Sequence, residues 1–421
     1  MTLPENVDIA IVGGGMVGLS QALLLAHQMP KAKLALLESF SLEDSAVQLG
    51  QPSFDDRSTA LSPATTELLS LLGHWGRISQ RAEPIRRVHV SDRGHLGSTS
   101  YSQAENEHRF LGYVVENRWF GRHLAAAVLA SPVQVAAPAQ VTDLTICPGG
   151  ARLVYQQQGE TRQLFASLVI IADGAESPLR EKLGIGIDTH AYGQSAVTAN
   201  LEFSRPHQGQ AFERFTEQGP LAILPLTTAA DNPGADSSRA ALVWTRPDDQ
   251  LAETLAWDDD TFIAALQADF GYRLGSITRV GTRHSYPLKM IFAREQVRSS
   301  VALIGNAAHY LHPVAGQGFN LALRDCAQLA AVLGQAWLEG RNPGSLPVLN
   351  EYLALQSRDQ GATAMLSHSF VRVFSNRNFV MQAGRNLGLI AMELSDLARR
   401  EFFAQMMGQS LPRARLAGDT L

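Results

Sequence analysis

The sequence predicts an α/β fold with an α+β insert. A Rossmann-like domain with a parallel sheet is interleaved with a mostly antiparallel β-sheet domain, and C-terminal helices follow. Three observations predict this fold: a glycine turn after the first strand, an Asp-Gly pair after a second apolar run, and a loop rich in Gly, Ala and Pro after a third. They occupy residues 13–18, 173–174 and 305–320. Parallel sheets bind their ligands at such turns.

Composition and charge limit the classes of protein to consider. At 421 residues the chain is long enough for two interleaved domains. Its 45% hydrophobic and 18% charged residues are typical of a globular enzyme, and the net charge of -5 argues against nucleic acid as a partner. The two cysteines have no metal or disulfide spacing, no signal-peptide pattern opens the chain, and no apolar run reaches the ~18 residues of a spanning helix. The sequence therefore predicts a cytoplasmic protein.

The first element is a strand, residues 7–12, that leads directly into a glycine turn and an apolar helix. Gly13 allows the tight turn, Gly15 lets a pyrophosphate approach the helix start, and Gly18 lets the helix pack closely on the strand. A second strand ends at Glu38, 20 residues after Gly18, where a carboxylate can accept hydrogen bonds from both ribose hydroxyls. The pattern predicts a dinucleotide site and disfavours a 2'-phosphate.

Two arginines in the next part of the chain each allow two interpretations. Arg57 precedes a helix that Ser62 caps and Pro63 begins, and it is either a surface charge or a partner of the pyrophosphate. Arg122 lies in a helical pattern at residues 116–129 and is either a solvated residue or a cofactor contact. The sequence leaves both alternatives open.

Short runs of β-branched and aromatic residues predict a separate, mostly antiparallel sheet. A hairpin at residues 87–101 begins the pattern, and a helix at residues 258–270 lies within it. The other strands are separated by Gly, Pro and Asp and occupy residues 196–203, 211–215, 221–226, 240–245 and 285–290. We expect this sheet to form the substrate domain.

The Asp-Gly pair follows the apolar run at residues 168–172. Asp173 and Gly174 would stand at the carboxyl edge of a parallel sheet, where such sheets bind ligands. The alternative is an ordinary turn with an aspartate cap. Taken alone, the Asp-Gly pair favours this alternative.

The third loop, residues 305–320, joins a short buried strand to a helical pattern that starts at Phe319. Gly316 and Gly318 have no side chain, so the backbone there can come close to a ligand. The helix start directs its N–H groups and the positive end of its dipole into the loop. Together with the two upstream turns, this loop indicates a cofactor site.

The chain beyond Pro347 is helical and carries a Met and Phe stripe. Core packing is one interpretation, and a surface for a lipid or a partner protein is the other. The stripe includes Phe370, Phe374, Phe379, Met381, Met392, Phe402, Phe403, Met406 and Met407. Arginines on the same helices would suit peripheral contact with an anionic membrane: Arg372, Arg377, Arg385, Arg399 and Arg400.

The order and spacing of the three turns resemble those of the FAD-dependent aromatic hydroxylases, the flavoprotein monooxygenases of the para-hydroxybenzoate hydroxylase fold. Within that family the sequence is most similar to the hydroxylases of ubiquinone biosynthesis, especially those that act on 2-polyprenyl-6-methoxyphenol. The stretches that carry this closer similarity are HVSDRGHLGSTS, AFERFTEQGPLAILPL, GNAAHYLHPVAGQGFNLALRD and RNLGLIAMEL. The resemblance covers nearly the whole chain.

We accordingly expect the two domains to alternate along the chain. The FAD-binding domain is expected at residues 1–80, 106–189 and 293–345. The substrate domain is expected at residues 81–105, as a hairpin, and 190–292, as a β-sheet. The C-terminal helices are expected at residues 346–421.

The resemblance also implies roles for the residues of the three turns. The residues implied for the adenosine half of FAD are Gly13, Gly14, Gly15, Gly18 and Glu38. Arg57 and Arg122 match positions that contact the flavin nucleotide in relatives, and Asp173 with Gly174 matches a motif that serves both FAD and the nicotinamide donor. The residues implied beside the isoalloxazine ring are Pro313, Gly316, Gln317, Gly318, Phe319 and Asn320.

One residue departs from the pattern of that family. Gly305 matches the glycine of a Gly-Asp motif that binds the ribityl chain, but Asn306 stands where most of the family has Asp. An Asn side chain still accepts a hydrogen bond through its amide oxygen and also donates one, so the contact survives without its charge.

The resemblance implies hydroxylation of a polyprenylated phenol to a 1,4-benzoquinol with O2, FAD and a transiently bound NAD(P)H, through a C4a-hydroperoxyflavin. Pro313, Gly316 and Gly318 are expected at the reacting ring. His312 is a candidate proton acceptor for the phenol. His309 and His312 have no carboxylate at ligand spacing, so no metal site is predicted.

Three alternatives to this function remain at the level of sequence. The first is hydroxylation at another ring position of the same quinone precursor, because such paralogues share the flavin motifs. The second is a flavin reductase or dehydrogenase that inserts no oxygen. The third is a non-catalytic FAD-binding subunit among other ubiquinone-biosynthesis proteins.

Overall fold

A computed structural model describes most of the chain. The described residues are 3–43, 55, 57–94, 98–105, 110–228, 237–311 and 316–374, with the single residues 395, 400, 403, 414 and 416. Two large sheets and one small sheet form the framework, and helices pack on them.

The first large sheet is parallel at its centre. Its strands in spatial order are β8 (Gln134–Ala136), β2 (Leu34–Leu37), β1 (Asn6–Val12), β11 (Glu160–Ile171), β19 (Val301–Leu303) and β18 (Val297–Arg298). The pairs from β8 to β19 are parallel, and β18 is antiparallel. An antiparallel extension on β11 consists of β9 (Gln140–Cys147) and β10 (Gly150–Gln157).

Apolar helices cover this sheet. They are α1 (Met16–Gln28), α4 (Asn117–Leu129), α8 (Gln317–Leu338) and α9 (Leu346–Phe374), with the shorter α2 (Pro63–Leu71), α3 (Trp75–Ile78) and α5 (Pro178–Lys182) around them. The core between α1, α4, α8 and the sheet is built from Leu, Ile, Val, Phe and Ala side chains. Burial of these side chains is the main term that stabilises the layer.

The second large sheet is mostly antiparallel. Its strands in spatial order are β20 (His309–Tyr310), β17 (His284–Ala293), β12 (Ile187–Phe203), β15 (Arg239–Pro247), β14 (Gly219–Pro225), β13 (Gln210–Thr216), β5 (Arg87–Asp92) and β6 (Ser98–Ser102). Only the β13–β5 pair on this path is parallel, and β16 (Ile277–Val280) pairs with β12. Successive side chains on a strand alternate between the two faces of the sheet.

The two faces of this sheet have different neighbours. One face packs Val197, Leu221 and Trp244 against Phe262 of α7 (Asp259–Phe270), beside α6 (Asp248–Ala256). The other face lies on the side of the parallel sheet. A small sheet of β3 (Ser58–Leu61), β7 (Gly112–Glu116) and β4 (Ala82–Ile85) lies alongside.

The α/β class with a parallel Rossmann-like sheet and a mostly antiparallel sheet is confirmed. Several element starts differ from prediction, among them those of α8 and β12. Helix α8 begins at Gln317 rather than Phe319, because Gly316 in the left-handed conformation turns the chain into the helix. Strand β12 begins at Ile187, nine residues before the predicted 196, because its first residues pair with the end of β17.

The domain boundaries stay a prediction. The hairpin strands β5 and β6 join the antiparallel sheet, and so does β20, although residues 309–310 lie in the part expected in the FAD-binding domain.

One member of the Met and Phe stripe lies among the described residues with its side chain. Phe403 is 2% exposed and stacks on Tyr101 with ring centroids 4.6 Å apart. The side chains of the other members lie outside the described residues, so membrane contact through the C-terminal helices stays a prediction. No helix in the described part of the chain is long and apolar enough to cross a membrane.

Candidate functional site

The three turns and Glu38 meet along one edge of the parallel sheet. The neighbouring strands β2, β1, β11 and β19 end in register, with Val12 opposite both Leu37 and Ile171, and Ile171 opposite Leu303. Glu38, Gly13, Asp173 and Gly305 follow these strand ends within two residues. The carboxyl edge of a parallel sheet is where ligands bind, so the topology brings the predicted site residues together.

The glycine turn allows α1 to pack closely on β1. A Cβ at Gly18 would overlap the backbone carbonyl of Gly13, and a Cβ at Gly13 would overlap that of Ala172. Gly13 also has a φ of +107°, a conformation that favours glycine. No side chain of the described residues caps the start of α1 at Gly15. The first N–H groups of α1 are therefore available to an anion.

Glu38 holds the glycine turn from the neighbouring strand end. It is 4% exposed, and its Oε2 accepts the backbone N–H of Gly14. Its Oε1 accepts the N–H of Phe40 at 2.9 Å and the hydroxyl of Ser39 at 3.0 Å. The carboxylate therefore stabilises the turn itself, a role that the sequence pattern did not indicate. Its predicted contact with ribose stays a prediction.

Asp173 is a buried carboxylate at the end of β11. Neither carboxylate oxygen has a hydrogen-bond partner among the described residues. Burial raises the pKa of Asp173, and the hydroxyl of Ser177 and the backbone at Leu179 lie close enough to oppose part of that rise. Gly174 follows with a φ of +100°. A buried carboxylate is costly unless something hydrogen-bonds to it, so Asp173 is suited to receive donors from a ligand.

Arg180 connects the second turn, after β11, to the third, after β19. Its guanidinium donates to the carbonyl of Ala175 at 2.8 Å and to that of Ala307 at 3.0 Å. Residues 305–307 form a single 3-10 turn, in which Gly305 has a φ of +56° and packs against Val17 of α1. The exposed side of this turn presents Asn306 to the cavity described below.

Asn320 connects α8 to the segment from β3 to α2. Its Nδ2 donates to the carbonyls of Ala60 at 2.8 Å and Gly316 at 2.9 Å. Its Oδ1 accepts the N–H of Ser62 at 2.9 Å and the hydroxyl of Thr65 at 2.8 Å. These four bonds occupy the whole amide, which is 3% exposed. Asn320 lines the cavity, and its hydrogen bonds position the start of α8.

The start of α8 faces the same cavity as the start of α1. Gly316, Gln317, Gly318 and Phe319 all line it. A Cβ at Gly318 would meet nothing within 4 Å, so the backbone there is open to a ligand. No side chain among the described residues caps this helix at Gly316. Two uncapped helix starts therefore point into one space, which suits a ligand with two electron-rich ends.

A pair of residues behind this loop fixes β20 to α8. The Nε2 of His309 is hydrogen-bonded to Asp325, and both side chains are buried. The other oxygen of Asp325 accepts a bond of 3.1 Å from Gln360 of α9. His309 is therefore engaged within the protein, beside the loop that contains His312 and Pro313. His312 and Pro313 themselves lie outside the described residues.

The cavity has a volume of about 410 Å³ and extends from the two helix starts to the antiparallel sheet. The sheet contributes mostly apolar side chains to its wall: Ala211, Pro220, Ala222, Leu224 and Val243. A second cavity of about 380 Å³ shares part of this lining, including Arg57, Tyr286 and Asn306. A long, mostly apolar space with polar groups at one end is typical of a cofactor and substrate site.

Arg57 and two tyrosines form the polar part of the wall. Arg57 pairs with Asp55 at 2.5 Å and lies 5.6 Å from the ring centre of Tyr286. Burial raises the pKa of Tyr286, and Tyr310 adds to that rise. Burial also raises the pKa of Tyr310, against the opposing charge of Arg57. Both hydroxyls therefore stay protonated and can donate hydrogen bonds into the cavity. Sequence reasoning missed both tyrosines.

Glu213 is a third residue that sequence reasoning missed. It lies on β13 and lines the apolar part of the cavity. Burial raises its pKa to about 7. The available signal was the alternation along β13, which places Glu213 on the same face as the buried Ala211 and Phe215.

Arg122 has a different position from the other predicted residues. It lies on α4, is half-buried, and is not part of the lining of either cavity. Its contact with the cofactor stays a prediction, as do the roles of the other site residues.

The geometry fits a dinucleotide with a flat ring. The start of α1 suits a diphosphate, Asp173 has unused acceptor atoms, and the open backbone at Gly318 leaves room for a planar group. The adjoining apolar wall is large enough for a second, aromatic ligand.

Comparisons with known proteins agree with this geometry. Residues 6–354 match the family described as FAD binding domain. The chain is 37% identical to ubiquinone hydroxylase UbiL of Rhodospirillum rubrum, over 95% of this chain and 89% of that protein. It is 30% identical to 3-demethoxyubiquinol 3-hydroxylase of Escherichia coli, over 96% of this chain and 99% of that protein.

A solved structure shows the same fold. The crystal structure of p-nitrophenol 4-monooxygenase PnpA from Pseudomonas putida DLL-E4 superposes with a TM-score of 0.77 at 19% identity, over 97% of this chain and 100% of that one.

Replacing Asn320 with alanine tests its role as a connector. The change Asn320→Ala leaves the buried N–H of Ser62 and the carbonyls of Ala60 and Gly316 without their partner. We expect the free energy of unfolding in urea to fall by about 2–4 kcal/mol. The exposed Gln335→Ala on the same helix is the control, with an expected change within ~0.5 kcal/mol. Equal effects of the two changes would contradict this role.

The raised pKa of Glu213 predicts a pH-dependent stability. The folded state binds the proton of Glu213 more tightly than the unfolded state, in which the pKa of this residue has its ordinary value of 4.5. The stability that the bound proton contributes is therefore lost as the pH rises from 4.5 to about 7. Above that pH a charged carboxylate is buried, whereas glutamine stays neutral. We expect Glu213→Gln to raise the melting temperature by roughly 2–5 °C at pH 8 and to leave it nearly unchanged at pH 5.

The control for this measurement is Glu217→Gln, which removes an exposed carboxylate from the turn after β13. The same difference in melting temperature at both pH values for Glu213→Gln would show that the surroundings of Glu213 do not disfavour its charged form.

Proposed function

The chain belongs to the FAD binding domain family, and from this membership we propose that it is a monooxygenase that hydroxylates a polyprenylated phenol of ubiquinone biosynthesis. FAD is the cofactor. The observation that carries the proposal is one cavity that joins two uncapped helix starts to an apolar wall. Such a cavity can hold a flavin ring and an aromatic substrate side by side. The names of the relatives from R. rubrum and E. coli support this substrate class.

The residues of the sheet edge would hold the nucleotide. The start of α1 after Gly15 would bind the diphosphate through its N–H groups and dipole. Glu38 already fixes the turn, and its carboxylate would also accept a ribose hydroxyl. Asp173 would accept hydrogen bonds from the cofactor or the nicotinamide donor, because its two oxygens are buried and have no partner among the described residues.

The start of α8 would face the flavin ring. FAD supplies electron transfer and oxygen activation that side chains cannot provide. The N–H groups at the start of α8 would stabilise negative charge on the ring, because they are fixed in place before the charge develops. Asn320 keeps them there. NAD(P)H is the proposed electron donor.

The apolar wall would hold the substrate ring and exclude water. Ala211, Ala222, Leu224 and Val243 offer no hydrogen bond to solvent, and Phe403 also lines the cavity. Exclusion of water strengthens the polar interactions within the site and limits side reactions of activated oxygen. We propose 2-polyprenyl-6-methoxyphenol as the substrate and the 1,4-benzoquinol as the product.

A second candidate is hydroxylation at another ring position. The relative from E. coli is named for a 3-hydroxylase activity on a quinol and covers 96% of this chain. The same cavity would allow hydroxylation at either ring position, because the orientation of the substrate ring against the wall decides which ring carbon faces the flavin.

The proposal is tested with the FAD-loaded protein and 2-geranyl-6-methoxyphenol. We expect O2 consumption that depends on the phenol with NADH or NADPH, and a product one oxygen atom heavier by mass spectrometry. Nuclear magnetic resonance of that product identifies the ring position. No phenol-dependent O2 consumption with either donor would reject a monooxygenase. It would leave a reductase, which changes the phenol without adding oxygen, or a non-catalytic FAD-binding subunit.

Because Asn306 stands where relatives have Asp, we predict that this protein retains FAD less tightly than those relatives do. Its side chain lines both cavities and is exposed to them. A carboxylate would accept a hydroxyl of the ribityl chain through a charge-assisted hydrogen bond. We therefore expect Asn306→Asp to lower the dissociation constant for FAD by about 3- to 10-fold in a fluorescence titration.

The control is Asn342→Asp, which adds the same charge at an exposed position outside the lining of both cavities. If Asn306→Asp binds FAD no more tightly than the unchanged protein, the assignment of Asn306 to the ribityl contact is wrong.

A further inference from the structure

Among the described residues, Glu213 places a carboxylate in the apolar region of the inner face of the antiparallel sheet. Glu213 is opposite Ala222, which is opposite Val243, and Val243 is opposite Thr198. These residues form a row across four strands, and all of them line one of the two cavities. On the other side, Val90 of β5 is opposite Glu213. The carboxylate therefore projects from the middle of the wall that we assign to the substrate ring.

No described residue forms a hydrogen bond or an ion pair with Glu213. The residues beside it on the same face are Ala211 and Phe215, both in the apolar cluster that includes Val90. The rise in its pKa comes from burial alone, without a contribution from any charged neighbour. Part of its side-chain surface faces the cavity.

The titratable groups around Glu213 lie at the edges of this region. Asp92 and Tyr101 are on the same face of β5 and β6. Arg57, Tyr286 and Tyr310 lie elsewhere in the lining of the cavity. None of these five contributes to the shift of Glu213.

A carboxylate in this position lowers the stability of the protein. Moving a charge into apolar surroundings without a partner is unfavourable, and a neutral residue of the same shape would avoid that penalty. Groups that reduce stability in this way are concentrated at functional sites. Among the described residues, the space beside the Glu213 side chain is the cavity, so we look to a ligand for its partner.

We propose that Glu213 binds the phenolic hydroxyl of the substrate and accepts its proton as the ring is hydroxylated. The inference rests on the proposed function and adds the group that recognises the phenol. The O–H bond of the phenol breaks, its proton moves to a carboxylate oxygen of Glu213, and the electron pair stays on the phenolic oxygen. Negative charge on that oxygen makes the ring carbons ortho and para to it more nucleophilic.

The proton returns to the product at the end of the reaction. The new hydroxyl comes from O2, NAD(P)H supplies two electrons, and the second oxygen atom leaves as water. Loss of the ring C–H proton restores the aromatic ring, and Glu213 gives its proton back to the phenolic oxygen. Glu213 is unchanged after one turnover.

The burial of Glu213 suits this role. A general base is most effective when its pKa is near the working pH, and burial raises the pKa of Glu213 to about 7. An ordinary surface glutamate would be a much weaker base toward a phenol.

The first experiment compares Glu213→Gln, Glu213→Asp and the control Glu217→Gln in the FAD-loaded protein with 2-geranyl-6-methoxyphenol. We expect Glu213→Gln to lower kcat by about 100-fold or more with a smaller change in KM, and to remove the decline in kcat/KM below pH 7. Glu213→Asp keeps a carboxylate and is expected to retain part of the activity and the pH dependence. A Glu213→Gln protein with unchanged kcat and pH profile would overturn the proposal.

A second measurement needs no variant. The unchanged protein is titrated with 2-geranyl-6-methoxyphenol and with its methyl ether, which has no proton to donate. We expect about tenfold tighter binding of the phenol at pH 8 and a smaller preference at pH 6, where Glu213 is protonated. Equal binding of the two compounds at both pH values would overturn the proposal even if Glu213→Gln does not fold.

The failure of this inference differs from the failure of the proposed function. If the unchanged protein forms no hydroxylated product, the proposed function is wrong. If it forms the product and Glu213→Gln does so equally well, only the role of Glu213 is wrong.

Discussion

The amide of Asn320 is the interaction on which the site depends most. It joins the start of α8 to residues 255 to 260 positions earlier in the chain, at the end of β3 and the start of α2. Because the same amide holds the carbonyl of Gly316, it also fixes the left-handed residue from which α8 begins. The helix start can therefore face the cavity without a capping side chain. Loss of these bonds would shift the start of α8 even in the absence of a reaction.

The rest of the site consists of two surfaces held against each other. The edge of the parallel sheet supplies the turns, the helix start of α1 and a buried Asp173. The inner face of the antiparallel sheet supplies an apolar wall with Glu213 in it. Both carboxylates have raised pKa values through burial, so each one reduces stability until a ligand binds to it. Such a loss of folding stability is expected at a catalytic site, where residues are selected for activity.

Much of the parallel layer could be predicted from the sequence, because its signals are local. The strand, the glycine turn and the helix that follow one another near Gly13 depend only on neighbouring residues, and the three turns lie at adjacent strand ends as expected for such a sheet. The four bonds of Asn320 could not be predicted, since its partners are distant in sequence. The short β-branched and aromatic runs predict the strands around Glu213 without singling out this residue, although alternation along β13 places it inward.

The central claim is that one cavity holds the flavin ring and the phenol against opposite walls. A crystal structure of the FAD complex with 2-geranyl-6-methoxyphenol tests this claim most directly. The account predicts the flavin ring beside the start of α8 at Gly318, and the phenolic oxygen within hydrogen-bonding distance of Glu213. A phenol bound outside this cavity, or bound within it with its hydroxyl turned away from Glu213, would contradict the account.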